Sequence, residues 1–408
     1  MCYGFYFIDG CDGLFRKITL FLIVLLFLGI MNVGISFADD FNEGVPSVPA
    51  FKENVDNKTP KISAGSAIVL DVKSGRVLYE KNSYTKEEIA STTKIMTAII
   101  AIENGNLEEE VTISKRAASV WGSSIDLRQG EKLKLKELLY GLMLNSGNDA
   151  AIAIAEHIGG SVENFVELMN KKAIDLGTLS TSFKSPHGLD MPDHYSTAYD
   201  LALITRYALN NPTFAKIVAT KSIQITKRNL YNTNEMLGFY PGADGVKTGY
   251  TGMAGRCLVT SVSRDDRKII AVVLNCATRN IRAQNSKDIL DYAFKNYKPY
   301  LLTNAQEVMK RLPVKRGIKE GVEVETVDRV ELPLTMDEFA GLETKIELPE
   351  ELQAPVYEGI EIGEVQYCVD GKVIAKTALK TKETIRRKGA TDYLKELIFK
   401  WAETIREL

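Results

Sequence analysis

Apolar and polar positions recur with different periods along the chain, and each period predicts a different element. From Ser63, the pattern SAIVLDVKSGRVLYEKN reads as two strands around a Lys73-Ser74-Gly75 turn. Helical spacing then dominates from Lys86 to about Asn210, with Gly105, Gly130, Gly159 and Gly177 as stops. Strand character returns near Ser222 to Thr226 and across Gly255 to Cys276, where Arg264-Asp265-Asp266 supplies a hairpin corner. A helix from Ile281 to Tyr297 closes the unit. Strands, helices, more strands and a last helix describe a sheet covered by helices, one α+β domain over residues 62–298.

After Pro299 the texture changes. The runs VEVETVDRVELPL, LETKIELP and EIGEVQYCVDGKVIAKTAL alternate as short strands, with Asp370-Gly371 as a hairpin turn. No periodic helix longer than two turns interrupts them, so residues 299–381 read as a small β domain. The period then reverts to helical over residues 382–408. There Leu394, Leu397, Ile398, Trp401, Ile405 and Leu408 form one apolar stripe opposite Lys395, Glu396, Glu403, Arg406 and Glu407. A helix of this kind behind a basic lead-in lies in the plane of a membrane surface or docks on the protein's own body.

At the other end, Arg16 and Lys17 precede the unbroken apolar run Ile18 to Val33, followed by Ser36 and Ala38. A basic flank, an apolar core and a small-x-small site predict an export signal over residues 1–38, and the alternative is an uncleaved anchor. Residues 39–61, with Pro46, Pro49 and Pro60, read as a linker. Either reading places the rest of the chain outside the cytoplasm.

Composition narrows the function classes. The 408 residues carry 51 Lys plus Arg against 53 Asp plus Glu, a net charge of −2, which argues against nucleic acid as a partner. Beyond the signal only Cys257, Cys276 and Cys368 remain, too few and too scattered for a disulfide framework; the first two either pair or stay as buried thiols. His157, His187 and His194 have no metal-ligand spacing, so neither a metal nor another cofactor is called for.

Three short constellations carry chemistry. Ser91-Thr92-Thr93-Lys94 opens a buried apolar helix, and its spacing puts Ser91 and Lys94 on one face. A serine needs a base to become nucleophilic, and a lysine serves where burial and a neighbouring cation favour its neutral form. Ser91 is equally placed to be a plain helix cap. Ser146-Gly147-Asn148 sits at a break between two apolar helices, where a hydroxyl and an amide either face a common cleft or merely stop and cap helices. Lys247-Thr248-Gly249 lies on a strand, with a cation and a hydroxyl suited to a carboxylate and a glycine that admits a close backbone.

Taken in order, Ser-x-x-Lys, Ser-x-Asn and Lys-Thr-Gly are the signatures of penicillin-recognising serine acyl enzymes. With IASTTKIMTA, LNSGNDAA, FVELMN, PHGLD, YSTAYDLALI, GVKTGYT and AGRCLV, the chain resembles the low-molecular-mass penicillin-binding proteins that act as serine D-alanyl-D-alanine carboxypeptidases. The resemblance implies a β-lactamase-like catalytic domain, a five-stranded antiparallel sheet flanked by helices, then an all-β domain and a membrane-surface helix. It implies a peptidoglycan stem peptide ending in D-Ala-D-Ala as substrate, β-lactams as covalent inhibitors, and a place on the outer face of a bacterial cytoplasmic membrane. By position, it makes Ser91 the nucleophile, Lys94 its base, Ser146 a proton relay and Asn148 a substrate-amide ligand. It also assigns the oxyanion hole to the N–H groups of Ser91 and Tyr250. Lys247, Thr248 and Arg282 become carboxylate ligands beside Gly249, with Arg279 as the competing arginine. Tyr250 departs from the family's frequent His. His187 reads as a structural turn residue. The rivals are a class A-like β-lactamase, for which Glu167-Leu168-Met169-Asn170 is one residue short of the required loop, and a non-catalytic cell-wall binding protein.

Overall fold

The computed structural model describes residues 59–406. The predicted signal, most of the linker, Cys2, Cys11 and Leu408 lie outside the described residues.

The first unit is built on a five-stranded antiparallel sheet in the order Val77–Lys81, Ser66–Asp71, Arg267–Cys276, Gly255–Arg264, Ala243–Thr251. The two strands that open the unit join the three that come late, so the intervening helices must pack across the sheet. Their side chains explain the uninterrupted apolar runs. Ile68, Leu70, Val259, Ile270 and Val272 point into the helical core, whereas Ala67, Val69, Leu258, Ala271 and Val273 point to the other face, under the Arg279–Asn296 helix. Both faces are covered, so both sets of alternate positions are apolar. Each large side chain fully buried there contributes about 1.5–3 kcal/mol of transfer free energy.

The helical zone is less continuous than its spacing predicts. The helices Lys94–Asn104, Leu135–Leu144, Asn148–Gly159, Val162–Asp175 and Ala198–Leu209 are present. A hairpin of Glu110–Thr112 with Lys132–Lys134 interrupts them, because three-residue strands are too short to show a period. The strand at Ser222–Ile225 pairs only with Arg228–Tyr231 and stays outside the main sheet. The final helix starts at Arg279, two residues ahead of the predicted Ile281, because Thr278 caps it by accepting from Ile281 N at 3.2 Å.

The second unit is a six-stranded sheet with a two-stranded ribbon, Lys298–Thr303 with Val330–Leu334. Asp370 and Gly371 both have positive φ, 50° and 74°, as a two-residue hairpin turn requires. Lys73 pairs with Glu331 at 3.1 Å, and Arg76 with Glu338, so the first hairpin turn docks on this ribbon. The Ala390–Arg406 helix follows, with no buried residue. Leu397 and Trp401 are 70% and 69% exposed, so the apolar stripe is not docked on the body. No helix among the described residues is long and apolar enough to cross a membrane.

Candidate active site

The site forms where the sheet's outermost strand, Ala243–Thr251, meets the start of the Lys94–Asn104 helix. Ser91 does not sit in that α-helix, as predicted, but one turn earlier in a 3₁₀ turn, Ala90–Thr93. The Thr92 and Thr93 hydroxyls donate to Ile89 O and Ala90 O at 2.6 and 2.8 Å, and Ala90 has φ +46°, so the entry is tightened and strained. Ser91 is left half-buried at the end of a rigid element, and Lys94 is wholly buried one turn on.

Lys94 Nζ gathers three oxygens: Ser91 Oγ at 2.9 Å, Asn148 Oδ1 at 2.7 Å and His187 O at 2.9 Å. An ammonium can donate to all three. A neutral amine can donate to the two carbonyls and accept from the serine hydroxyl. The geometry therefore serves both charge states that a proton shuttle between Ser91 and Lys94 passes through.

The inter-helix turn is built with equal care. Ser146 is buried with φ +60°, and the next helix begins at Asn148. Asn148 N donates to Ser123 O at 2.7 Å and its Nδ2 to Trp121 O at 2.8 Å, which fixes the amide so that Oδ1 faces Lys94. Asp149 then accepts from Ser124 Oγ, Ile125 N and Leu127 N, stitching the 121–127 loop to the helix start. Asp149 carries no spacing signal of its own in the sequence beyond its place next to the motif.

On the strand, Lys247 and Thr248 are both buried. Lys247 Nζ donates to Thr248 O at 3.1 Å, and the Thr248 hydroxyl bonds that of Thr233 at 2.8 Å. A Cβ at Gly249 would stand 3.1 Å from Ser91 N, Ile89 O and the Ala90 Cβ, so any side chain there would push the Ser91 turn by a few tenths of an ångström. That closeness sets the Ser91 turn against the strand that continues into Tyr250. The Arg256 guanidinium lies 3.7 Å from the Tyr250 ring centre, so the ring is held by a neighbour on the paired strand.

Arg282 is also buried, but a carboxylate already meets it. Glu235 takes Arg282 Nε at 3.0 Å and Nη2 at 2.8 Å, while Nη1 donates to Cys257 O at 3.3 Å. Arg279, the competing candidate, approaches the same carboxylate only to 3.9 Å.

His187 contributes its carbonyl, which no residue-type signal could announce. Its Nδ1 accepts from Leu189 N at 3.2 Å, and burial holds the ring's pKa down to about 3. His194 Nδ1 likewise accepts from Lys184 N, its Nε2 bonds the Thr93 hydroxyl, and burial holds its pKa at about 4. Both rings are neutral scaffolding at pH 7. Cys257 and Cys276 are free and buried, with burial pushing the thiols up to about 12 and about 11, so neither is a thiolate. No group of His, Cys, Asp or Glu among the described residues could hold a metal ion. The lactamase rival needs a glutamate at the serine, but Glu167 is exposed on the Val162–Asp175 helix and Asn170 is spent on Phe183 N and O.

Sheet, flanking helices and this constellation define the penicillin-binding class of fold. The crystal structure of penicillin binding protein 5 from Haemophilus influenzae superimposes with a TM-score of 0.73 at 31% identity, covering 81% of this chain and 99% of that one. The Streptomyces K15 DD-transpeptidase matches at TM-score 0.56 and 36% identity, over 58% of this chain and 99% of its own. The profile of the D-alanyl-D-alanine carboxypeptidase family, peptidase S11, matches residues 53–278, and that of the penicillin-binding protein 5 C-terminal domain matches residues 297–387. Among curated relatives, the D-alanyl-D-alanine carboxypeptidase DacF of Bacillus subtilis (strain 168) is 36% identical over 368 residues, 87% of this chain and 94% of the relative. The chain belongs to the D-alanyl-D-alanine carboxypeptidases of peptidase family S11.

Proposed function

We propose that the protein removes the terminal D-alanine from peptidoglycan stem peptides through a serine acyl-enzyme, with Ser91 as nucleophile. The observation that carries this reading is the buried Lys94 Nζ, 2.9 Å from Ser91 Oγ and 2.7 Å from Asn148 Oδ1. An extended peptide lies along the outermost strand, where main-chain groups give affinity. Its terminal carboxylate faces Lys247, Thr248 and Arg282, and its penultimate amide meets Asn148.

Ser91 Oγ attacks the penultimate carbonyl carbon as its proton passes to Lys94. The N–H groups of Ser91 and Tyr250 receive the developing oxyanion. The C–N bond breaks, and the departing D-alanine nitrogen takes the proton from Lys94 through Ser146. Water then attacks the ester, Lys94 accepts its proton, and Ser91 recovers that proton as the shortened acid leaves. β-Lactams acylate the same serine.

Export to the outer face of the cytoplasmic membrane follows from where such peptides occur. The uncovered apolar stripe of Ala390–Arg406 supports a membrane-surface role.

The test is release of free D-alanine from a peptide ending in D-Ala-D-Ala. Wild type releases it and acquires a labelled penicillin for minutes or longer; Ser91→Ala does neither. Absence of release by wild type, or release by Ser91→Ala, refutes the reading. Deleting residues 390–408 moves the protein from the membrane to the soluble fraction, and an unchanged distribution removes the helix's role.

A further inference from the structure

We infer that Glu235 is a positioning residue for the carboxylate end of the cleft: by gripping Arg282, it sets how strongly the enzyme prefers substrates that end in a free carboxylate. The inference rests on the proposed function, in which Arg282 faces that carboxylate.

Three placements lead to it. Arg282 rises from the Arg279–Asn296 helix, and its Nη1 reaches Cys257 O, on the rung of the sheet opposite Gly249. The guanidinium is thereby set behind the strand segment that carries Lys247 and Thr248. Glu235 holds it through Nε and Nη2, and both side chains are buried, at 2% exposure or less. Two residues before Glu235, the Thr233 hydroxyl holds that of Thr248. One short segment, Thr233 to Glu235, thus touches both a hydroxyl and a guanidinium assigned to the carboxylate.

The chemistry follows from the geometry. Arginine has a long, rotatable stem, and a carboxylate gripping one edge of its planar fork fixes the orientation of the whole group. A buried guanidinium with no counter-charge would also be strongly disfavoured. Glu235 answers both needs. Orientation of the fork is then what the grip supplies to recognition.

The test compares two substrates of the full chain: a peptide ending in D-Ala-D-Ala, followed by D-alanine release, and an acyl-D-alanyl thioester with an uncharged leaving group, followed by thiol release. Loss of positioning lowers the ratio of kcat/KM for the first over the second about 10- to 100-fold in Glu235→Ala, mainly through KM. Glu235→Gln keeps the shape and loses the charge, and it gives an intermediate ratio. If Glu235→Ala does not accumulate as folded protein, the ratio in Glu235→Gln decides. A parallel loss on both substrates, or an unchanged ratio, overturns the inference. A wild type that releases thiol but no D-alanine defeats the carboxypeptidase reading itself.

Discussion

The two halves of the described chain handle polar groups in opposite ways. The first unit buries Lys94, Lys247, Arg282, Glu235, Asn148 and Asp149, and places Ala90 and Ser146 in the left-handed region. The second unit keeps its charges near the surface except Glu325, in pairs such as Lys382 with Glu323 at 2.8 Å and Lys376 with Glu364 at 2.9 Å. Its left-handed residues, Gln306, Arg316 and Asp370, lie in turns, and the Asp370 hairpin calls for that conformation. Strain and buried charge cost stability and persist only where surroundings over-determine them. The strained Ala90 and the buried Lys94 beside Ser91 separate the candidate site from the platform that carries it.

The sharpest way to break that contrast is a methyl group beside Ser91, the proposed nucleophile. Gly188 has φ +84°, and a Cβ there would lie 1.9 Å from Ala90 O and 2.6 Å from the Thr93 hydroxyl. It follows His187, whose carbonyl holds Lys94. Gly188→Ala must therefore push the Ser91 turn away from the carbonyl that holds Lys94. We expect roughly 2–5 kcal/mol of destabilisation from strain plus overpacking. Penicillin acylation should fall with it. Retention of full acylation at wild-type stability would show the turn to be far more yielding than its contacts indicate.

The next effect separates the units by pH. His187 and His194 have folded-state pKa values of about 3 and about 4, below the ordinary 6.5, because burial and backbone N–H donors at Nδ1 favour the neutral ring. The unfolded chain then binds more protons as pH drops below 6.5, so stability is full above that value and falls as pH falls. The loss levels off once the folded values are passed. Within the window each histidine adds a slope of about 1.4 kcal/mol per pH unit. All three histidines of the chain precede residue 299, so the second unit has none to contribute. Urea unfolding at pH 7 and pH 5 checks this: the first unit's transition moves to lower urea. A transition that stays put would mean the rings are protonated in place.

How far the sequence reveals this division depends on the kind of contact. Ser91 with Lys94 is legible because the pair lies within one turn, where spacing dictates proximity. The sheet is legible because its strands are long and apolar on both faces. The Lys298–Thr303 and Val308–Lys315 strands leave a weaker trace, since Pro299 and Pro313 mask their alternation. The contacts that finish the site leave no local trace. The His187 carbonyl is a backbone group carried by every residue, and Glu235 meets Arg282 across 47 positions with no motif of its own. Such pairings emerge only once the sheet has brought distant segments together.

The smallest effect is also the cleanest control on the contrast. Gly371 has φ +74°, nearly that of Gly188, but nothing stands within 4 Å of the position a Cβ would take. Its only difficulty is the conformation, which costs an alanine about 1–2 kcal/mol in the left-handed region. Against that, alanine restricts the unfolded chain and returns about 0.4–1 kcal/mol. The net loss for Gly371→Ala should be about 1 kcal/mol or less, read from urea unfolding. D-Alanine release should be unchanged, because the hairpin belongs to the platform. If Gly371→Ala instead impaired release as Gly188→Ala does, positive φ alone would govern both sites and the separation of chemistry from platform would fall. If the two differ as argued, the decisive quantity at Gly188 is the Ala90 carbonyl pressed against it, which makes that glycine part of how the proposed nucleophile, Ser91, is aimed.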